Sequence, residues 1–436
     1  MSSEVSTARF GDLLTADGIR NGIYKSKEFH GSGQKIINMG ELFGNPRLFG
    51  IPMKRVELSE SEKNRFIVKE GDLLFARRSL VAEGAGKCCL VKEVNGDTVF
   101  ESSIIRARIN SDIASSEYLY YMFSSTTGRQ LLGTILRQTA VSGITGTDLI
   151  DLEVPLPPLS EQKKIAIILS TIDDKIELNR SYSESTEELT EALFKSWLVD
   201  LDLVMAKHEG RQSRISTDIN NLFPDSFERS EFGAVPIGWS IAALDEIATY
   251  LNGLALQKYP PKGDETDLPV IKIAQLRKRD VIDSDKCSNE IGSEYVVENG
   301  DVIFSWSGSL LVDIWTGGRG ALNQHLFKVT STKYEKWFFY LWTKCHLGEF
   351  QAIAKSKATT MGHIQRKHLS GAKVLVPPSE CLNQLSMIFS PLLQRQIEAR
   401  LESATLASLR DVLLPRLISG ELRIPDAERM LEEVGI

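Results

Sequence analysis

The second half of the chain repeats landmarks of the first in the same order, and this duplication limits the possible folds more than any other feature. FIVKEGDLLFARRSL at 66–80 aligns with YVVENGDVIFSWSGSL at 295–310, setting Gly71-Asp72 on Gly300-Asp301 and Phe75 on Phe304. Each pair reads as a Gly-Asp turn entering a strand. The aromatic run YLYYMF at 118–123 corresponds to WFFYLW at 337–342 and has the character of a buried helix. DLIDLEVPLPPLSEQ at 148–162 then matches HLSGAKVLVPPSECLNQ at 368–384, with Pro157-Pro158 over Pro377-Pro378. Each half therefore passes from a mixed domain through a short strand and a Pro-Pro stop into a long helix. The expected fold is α/β (α+β): two similar domains with an internal pseudo-twofold duplication, joined by two long antiparallel coiled-coil helices. At 436 residues, 42% of them hydrophobic, the chain has material for two cores.

The first long helix is expected to start at Ser160, whose hydroxyl would cap free amides while Pro157 and Pro158 block extension backwards. Ile165, Leu169, Ile172, Ile176, Asn179, Ser183, Thr186, Thr190, Leu193 and Trp197 alternate spacings of four and three, the a/d pattern of a coiled coil. A helix of about 35 to 40 residues spans roughly 55 to 60 Å. In the second helix Leu385, Ile388, Leu392, Ile397, Leu401, Ala404 and Ser408 form the corresponding stripe, with Pro391 expected to limit or kink its first turns. Ile165, Leu169, Ile172, Ile176, Leu385, Leu392, Ile397 and Leu401 are the residues expected to pair the helices or meet a partner. The resulting division is a domain over 1–157, a helix over 158–206, a polar linker over 207–235, a second domain over 236–377, and a helix with a C-terminal tail over 378–436.

Charge excludes little until its distribution is considered. The net charge of -7 is unfavourable for gripping phosphates, but acids outnumber bases two to one over 159–202, the expected helix. Basic groups cluster elsewhere: Lys54/Arg55, Arg77/Arg78, Arg106/Arg108, KIAQLRKR at 272–279 and KSKATTMGHIQRKH at 355–368. The domains can therefore carry local positive faces. The five cysteines are scattered with no C-x-x-C pair, which fits a reducing, cytoplasmic setting and argues against a metal site. Residues 1–10 lack a basic start and an apolar stretch, and no apolar run reaches the ~18 residues of a membrane span, so no membrane association is expected.

Catalytic signatures fail on inspection. EGAGK at 83–87 lacks the leading glycine of a phosphate loop, and Cys88 stands where a magnesium-binding hydroxyl belongs. His363 and His368 do not form an H-E-x-x-H pair. Asp173 and Asp174 diverge by ~100° on a helix and read as a solvated face rather than an acid/base pair. Asn45-Pro46 is followed by Arg47, which spoils the Asn-Pro-Pro-aromatic loop of adenine methyltransferases.

PLPPLSEQKKIAIILSTIDDKIELN at 155–179 closely resembles the conserved helical region of type I restriction-modification specificity subunits. ALFKSWLVDLD at 192–202, GAVPIGWSIAALDEI at 233–247 and LLPRLISGEL at 413–422 resemble further segments of that family, so the likeness covers nearly the whole chain. The second Pro-Pro segment, VPPSECLNQ, departs from the PPLSEQ pattern. The resemblance implies two target-recognition domains, each reading one half of a split, asymmetric site on double-stranded DNA. It also implies helices that set the spacer and dock two methyltransferase subunits, with restriction subunits completing the complex. No cofactor is expected in this chain; S-adenosylmethionine, ATP and magnesium would belong to the partners. The alternatives are a stand-alone DNA-modifying enzyme with an unrecognised active site, and a coiled-coil scaffold.

Polar loops with glycine-permissive backbone supply the candidate DNA contacts, because guanidinium, amide and hydroxyl groups both read base edges and grip phosphates. In the first half these are Arg77, Arg78, Ser79, Lys87, Arg137, Gln138, Thr139, Ser142 and Thr145. In the second half they are Lys272, Arg277, Lys278, Trp306, Ser307, Asn323, Gln324, His325, Lys355, Lys357, Thr359, Thr360, His363 and Arg366. No catalytic residue and no metal ligand is assigned.

Overall fold

The computed structural model describes residues 6–79, 84–137, 142–211, 215–231, 233–356, 362–433 and 435. They fall into two compact units, Met1–Lys175 with Leu406–Ile436, and Ile176–Thr405.

In the first unit, Thr7–Arg9 pairs antiparallel with Glu153–Pro155, so the chain enters and leaves its domain on adjacent strands. A five-stranded sheet follows in the order Leu14–Asn21, Ile104–Ile109, Leu73–Ala76, Cys88–Glu93 and Arg47–Phe49. A smaller sheet orders Lys54–Val56, His30–Ile37 and Thr98–Phe100, the last two parallel. The aromatic helix Ser116–Ser124 is buried through Tyr118 to Phe123, and Phe123 meets Phe75 and Phe10 edge to face at 5.1 and 5.2 Å.

The second unit repeats this plan. Ser240–Ala243 pairs with Lys373–Val376, and a four-stranded sheet orders Thr249–Asn252, Leu326–Thr330, Val302–Ser305 and Leu311–Ile314. The parallel pair recurs as Leu268–Ile271 with Gly320–Leu322. The aromatic helix recurs as Lys336–Cys345. The Gly-Asp turns are equivalent bond for bond. Gly71 and Gly300 have φ of +84° and +91°, a region glycine enters without a Cβ clash. Their amides donate to Val91 O at 2.8 Å and Trp315 O at 2.7 Å. The Asp72 and Asp301 carboxylates accept from the amides of Lys69 and Glu298 at 2.7 and 2.8 Å. Each turn thus ties a strand entry to its neighbour.

Both long helices form, over Leu159–Phe194 and Ser379–Ile418. Within the second unit, Asn179 donates to Glu402 at 2.7 Å, Arg400 to Ser183 at 3.2 Å and Gln396 to Glu187 at 2.7 Å, so the segments run antiparallel. The stripe of the first helix is the expected one: Ile165, Leu169 and Ile172 are buried, Ile176 is half-buried, and Asn179, Ser183, Thr186 and Thr190 are buried polar groups. The second helix differs. Over 385–397 its buried apolar side chains are Leu385, Phe389, Leu393 and Ile397, whereas Ile388, Leu392 and Leu401 are half-buried and Ala404 and Ser408 exposed. The reason is that its first turns pack on the aromatic helix of their own domain. Phe389 stacks on Trp337 at 4.6 Å, and Trp337 Nε1 donates to Ser386 Oγ at 2.8 Å. The helix continues through Pro391.

Three further expectations are corrected. The first helix begins at Leu159 with Ser160 exposed in its first turn; Gln162 makes the anchor, donating to Pro157 O at 2.8 Å and accepting from the Ser115 amide at 2.9 Å. Asp173 is buried rather than solvated, because Tyr121 and Arg410 donate to it at 2.8 and 2.7 Å. The 207–235 segment is no free tether: it contains the helix Thr217–Asn221 and the hairpin of Phe227–Ser230 with Gly233–Pro236, and it buries Phe223 against Trp197 and Trp239. Its polar composition concealed those few apolar anchors. Among the described residues, no helix is long and apolar enough to cross a membrane.

Candidate nucleic-acid interface

In each domain three loops distant in sequence are drawn together by the same backbone bonds. The strand Leu73–Ala76 runs out into Arg77, whose amide donates to Ser103 O at 2.8 Å and whose carbonyl accepts from Ile144 at 3.0 Å. In the second domain Trp306 takes that place, donating to His325 O at 3.4 Å and accepting from Ile364 at 3.1 Å. Arg78–Ser79 then pairs with Ser142–Gly143, as Ser307 bridges to His363 and Gly308 donates to Gly362 O at 2.9 Å. Gly22 and Gly253 permit this packing. A Cβ on either would lie 2.1 Å from Glu101 O or 2.3 Å from Asn323 O, the turns that present 101–103 and 323–325.

On this common frame the first domain places guanidinium groups. Arg78 is exposed and has no ion-pair partner among the described residues. Arg77 is half-buried and donates to Ser102 O at 3.3 Å. Arg137 is exposed but paired with Asp148 at 2.9 Å. The Thr145 hydroxyl, donating at 2.7 Å, and then Arg137 hold the Asp148 carboxyl below its ordinary range. Thr145 also caps the helix Gly146–Ile150 through the Asp148 amide, which makes it a structural residue at rest. Ser142 is partly exposed on its strand pair. Lys87 is turned inward, donating to Phe43 O at 3.0 Å and lying over the Phe43 ring, so the EGAGK lysine braces a turn. Gln138 and Thr139 lie outside the described residues.

The second domain places amides and imidazoles on the same frame. Lys272, Asn323, Gln324 and His325 line one open concavity with Gln257, Ile273 and Ala274. Lys272 is exposed and ion-paired with Asp285. His325 Nδ1 lies 3.0 Å from Ser307 Oγ, and Asn323 Oδ1 accepts from the His325 amide at 3.2 Å. Ser307 and Asn323 are themselves buried. Trp306 stacks on Phe327 at 5.7 Å and donates from Nε1 to Asn252 Oδ1 at 2.9 Å, so it shapes the site from beneath. His363 meets the Trp306 ring edge to face at 6.3 Å, and Arg366 donates to Tyr250 O at 3.4 Å. Arg277 and Lys355 line a neighbouring groove with Gly308, Ser309 and Gly362. Arg277, Lys278 and Lys355 are exposed, with no acidic partner among the described residues. Lys357, Thr359 and Thr360 lie outside the described residues.

Other members of the basic runs are engaged in ion pairs within their own domain. Arg106 is fully buried and pairs with Asp17 at 2.6 Å, and Arg108 pairs with Asp72 at 2.8 Å. Burial tends to raise the Asp17 carboxyl, but Arg106 and Arg108 outweigh it and hold the group low. Arg279 leaves the KIAQLRKR run to pair with Asp313 at 2.7 Å. Asn252 and Gln257 are site residues that the loop composition did not single out. Among the described residues no three His, Cys, Asp or Glu are placed to hold a metal ion. Burial raises the thiols of Cys88, Cys89, Cys287 and Cys381, the last two to about 11 and about 12. The two loop clusters can donate and accept hydrogen bonds at an open surface and attract anions.

Comparison with known proteins bears on the whole chain. A family described as the type I restriction modification DNA specificity domain matches residues 2–188 and again 236–404. The MjaIX specificity subunit of Methanocaldococcus jannaschii is 26% identical over 73% of this chain and 72% of its own length. The HindI specificity subunit of Haemophilus influenzae is 22% identical over 88% and 94%. The crystal structure of the S subunit of a type I restriction-modification system from M. genitalium shares the fold, with a TM-score of 0.57 at 16% identity over 94% of this chain and 95% of that one. With both halves of the chain matched, the protein belongs to the type I restriction-modification DNA specificity family.

Proposed function

We propose that the chain reads a bipartite, asymmetric site on double-stranded DNA, one half-site per domain, as the non-catalytic specificity subunit of a type I restriction-modification complex in the cytoplasm. The observation that supports this best is the pair of loop clusters: identical backbone bonds carry different side chains in the two domains. That is the arrangement a two-headed reader of unlike half-sites needs. Arg277, Lys278 and Lys355 supply phosphate grip, while Arg78 and Gln324 face base edges. Lys87, Arg106, Arg108 and Arg279 are assigned to structure instead.

The long helices set the unread spacer and dock two methyltransferase subunits, through which restriction subunits join. The docking faces are their outward sides, where Ile167, Leu178, Tyr182 and Leu189 stay exposed, rather than the buried seam residues Ile165, Leu169 and Ile172. S-adenosylmethionine, ATP and magnesium belong to those partners. The test combines this chain with its methyltransferase and maps methylated positions on random duplex DNA. Two short constant blocks separated by a spacer of fixed length support the proposal. Methyl transfer or ATP hydrolysis by the isolated chain, or retention of no DNA sequence by the complex, overturns it.

A further inference from the structure

The duplicated frame makes each domain the control for the other. His325 corresponds to Ser103 and Trp306 to Arg77, because each pair shares the same backbone bond. Gln324 therefore corresponds to Ser102, and Ser307 to Arg78. Since the frames agree, differences at these positions carry the difference in what is read.

In the second domain the exchange builds a braced carboxamide. Gln324 is partly exposed on the concavity that Lys272 also lines. Its Nε2 lies 3.3 Å from His325 Nε2. An amide nitrogen is only a donor, so His325 Nε2 accepts, which leaves the imidazole proton on Nδ1 to donate to Ser307 Oγ at 3.0 Å. The His325 ring is tilted against Trp306 at 6.1 Å, and Trp306 is itself held by Asn252 and Phe327. This chain of contacts occupies one N–H of Gln324 and leaves the second N–H and Oε1 for a ligand. A donor beside an acceptor on one edge matches adenine, whose N6 donates and N7 accepts in the major groove. In the first domain Ser102 is too short for this, and the exposed group is the Arg78 guanidinium, which has no ion-pair partner among the described residues. Its paired donors match O6 and N7 of guanine.

We infer that the second domain reads an adenine through Gln324, braced by His325, whereas the first reads a guanine through Arg78. The inference rests on the proposed reading of DNA by this chain. The experiment measures binding of the complete complex to its mapped site, with 7-deaza-adenine or 7-deazaguanine replacing one purine at a time. Loss of N7 at one adenine of the second half-site is expected to weaken wild type roughly ten- to hundred-fold and to leave Gln324→Ala unaffected. Gln324→Arg should shift that position towards guanine, and Gln324→Glu towards cytosine. Arg78→Gln should move one guanine of the first half-site towards adenine. Recognition of the untouched half-site reports that each variant is folded. If the Gln324 variants keep the wild-type motif and the wild-type deaza penalty, this inference fails while the two-headed reading stands. If wild type itself prefers no sequence, both fail.

Discussion

Arg400 joins three elements of the second unit: it donates to Glu187 on the first helix at 2.7 Å, to Asp313 on a strand of the domain at 2.9 Å, and to Ser183 at 3.2 Å. Arg400 and Asp313 are almost wholly buried, and removing the Arg400 charge leaves Asp313 with Arg279 as its one ion-pair partner among the described residues. Arg400→Met should therefore cost about 3 kcal/mol in urea unfolding, more than most single substitutions. Glu187 adds a pH dependence. Burial tends to raise its carboxyl, but Lys344 and Arg400 outweigh it and hold the group below its ordinary range. A carboxyl lowered on folding stabilises fully above its unfolded value and loses that contribution as pH falls through the folded one. Thermal stability should thus decline below about pH 4.5, and Glu187→Gln should flatten the decline. Gly253 tests the loop frame, since its missing Cβ makes room for the turn that carries Gln324. Gly253→Ala should weaken recognition of the second half-site alone, as read by methylation mapping. None of these partnerships was legible beforehand. Arg106 and Asp17 are 89 residues apart, Arg400 and Glu187 are 213 apart, and a basic run does not disclose which of its members face inward.

The two long helices differ in how well their packing could be read. In the first helix the spacing of four and three from Ile165 to Thr190 coincides with the buried or half-buried side chains over most of its length. The second helix serves two surfaces in succession. Its first turns keep the spacing of four from Leu385 to Ile397 against the domain's aromatic helix, and Arg400 and Glu402 then turn to the first helix. A single heptad frame cannot describe both. The polar middle of the seam, at Asn179 and Ser183, is hydrogen-bonded to Glu402 and Arg400. Burial also decides where docking is to be tested. Ile172 is completely buried, so a charge there would damage folding itself. Leu178 and Leu189 are 63% and 50% exposed. Leu178→Glu with Leu189→Glu should leave the melting temperature within a degree or two of wild type while weakening capture of the methyltransferase subunit in co-purification. The proposed setting of the spacer is tested on the same elements. Inserting four residues after Asn179, and four before Glu402 opposite, lengthens the pair by about 6 Å. With base pairs ~3.4 Å apart, the preferred spacer should grow by one or two base pairs while both half-sites stay the same.

At the level of the whole molecule, duplication was the most legible property. Gly71-Asp72 and Gly300-Asp301, the aromatic helices and the Pro-Pro stops occupy matching places in two copies of one topology. What each copy contacts was less legible, because loop composition records the chemistry available and not which groups are already engaged. Arg137 is held by Asp148 and Lys87 by Phe43, whereas Arg78 and Lys355 have no acidic partner among the described residues. Net charge was similarly uninformative: the sum of -7 does not disclose that Arg78, Arg277, Lys278 and Lys355 are exposed with no acidic partner among the described residues. The central claim is that two domains on one frame read two unlike half-sites independently. Its most direct test is methylation mapping of the complete complex carrying wild-type chain, Arg78→Gln or Gln324→Arg, on one random duplex library. The account predicts a two-block motif in which the first substitution alters only one block, the second alters only the other, and the spacer is constant throughout. A contiguous motif, or a change in both blocks from either single substitution, would contradict it.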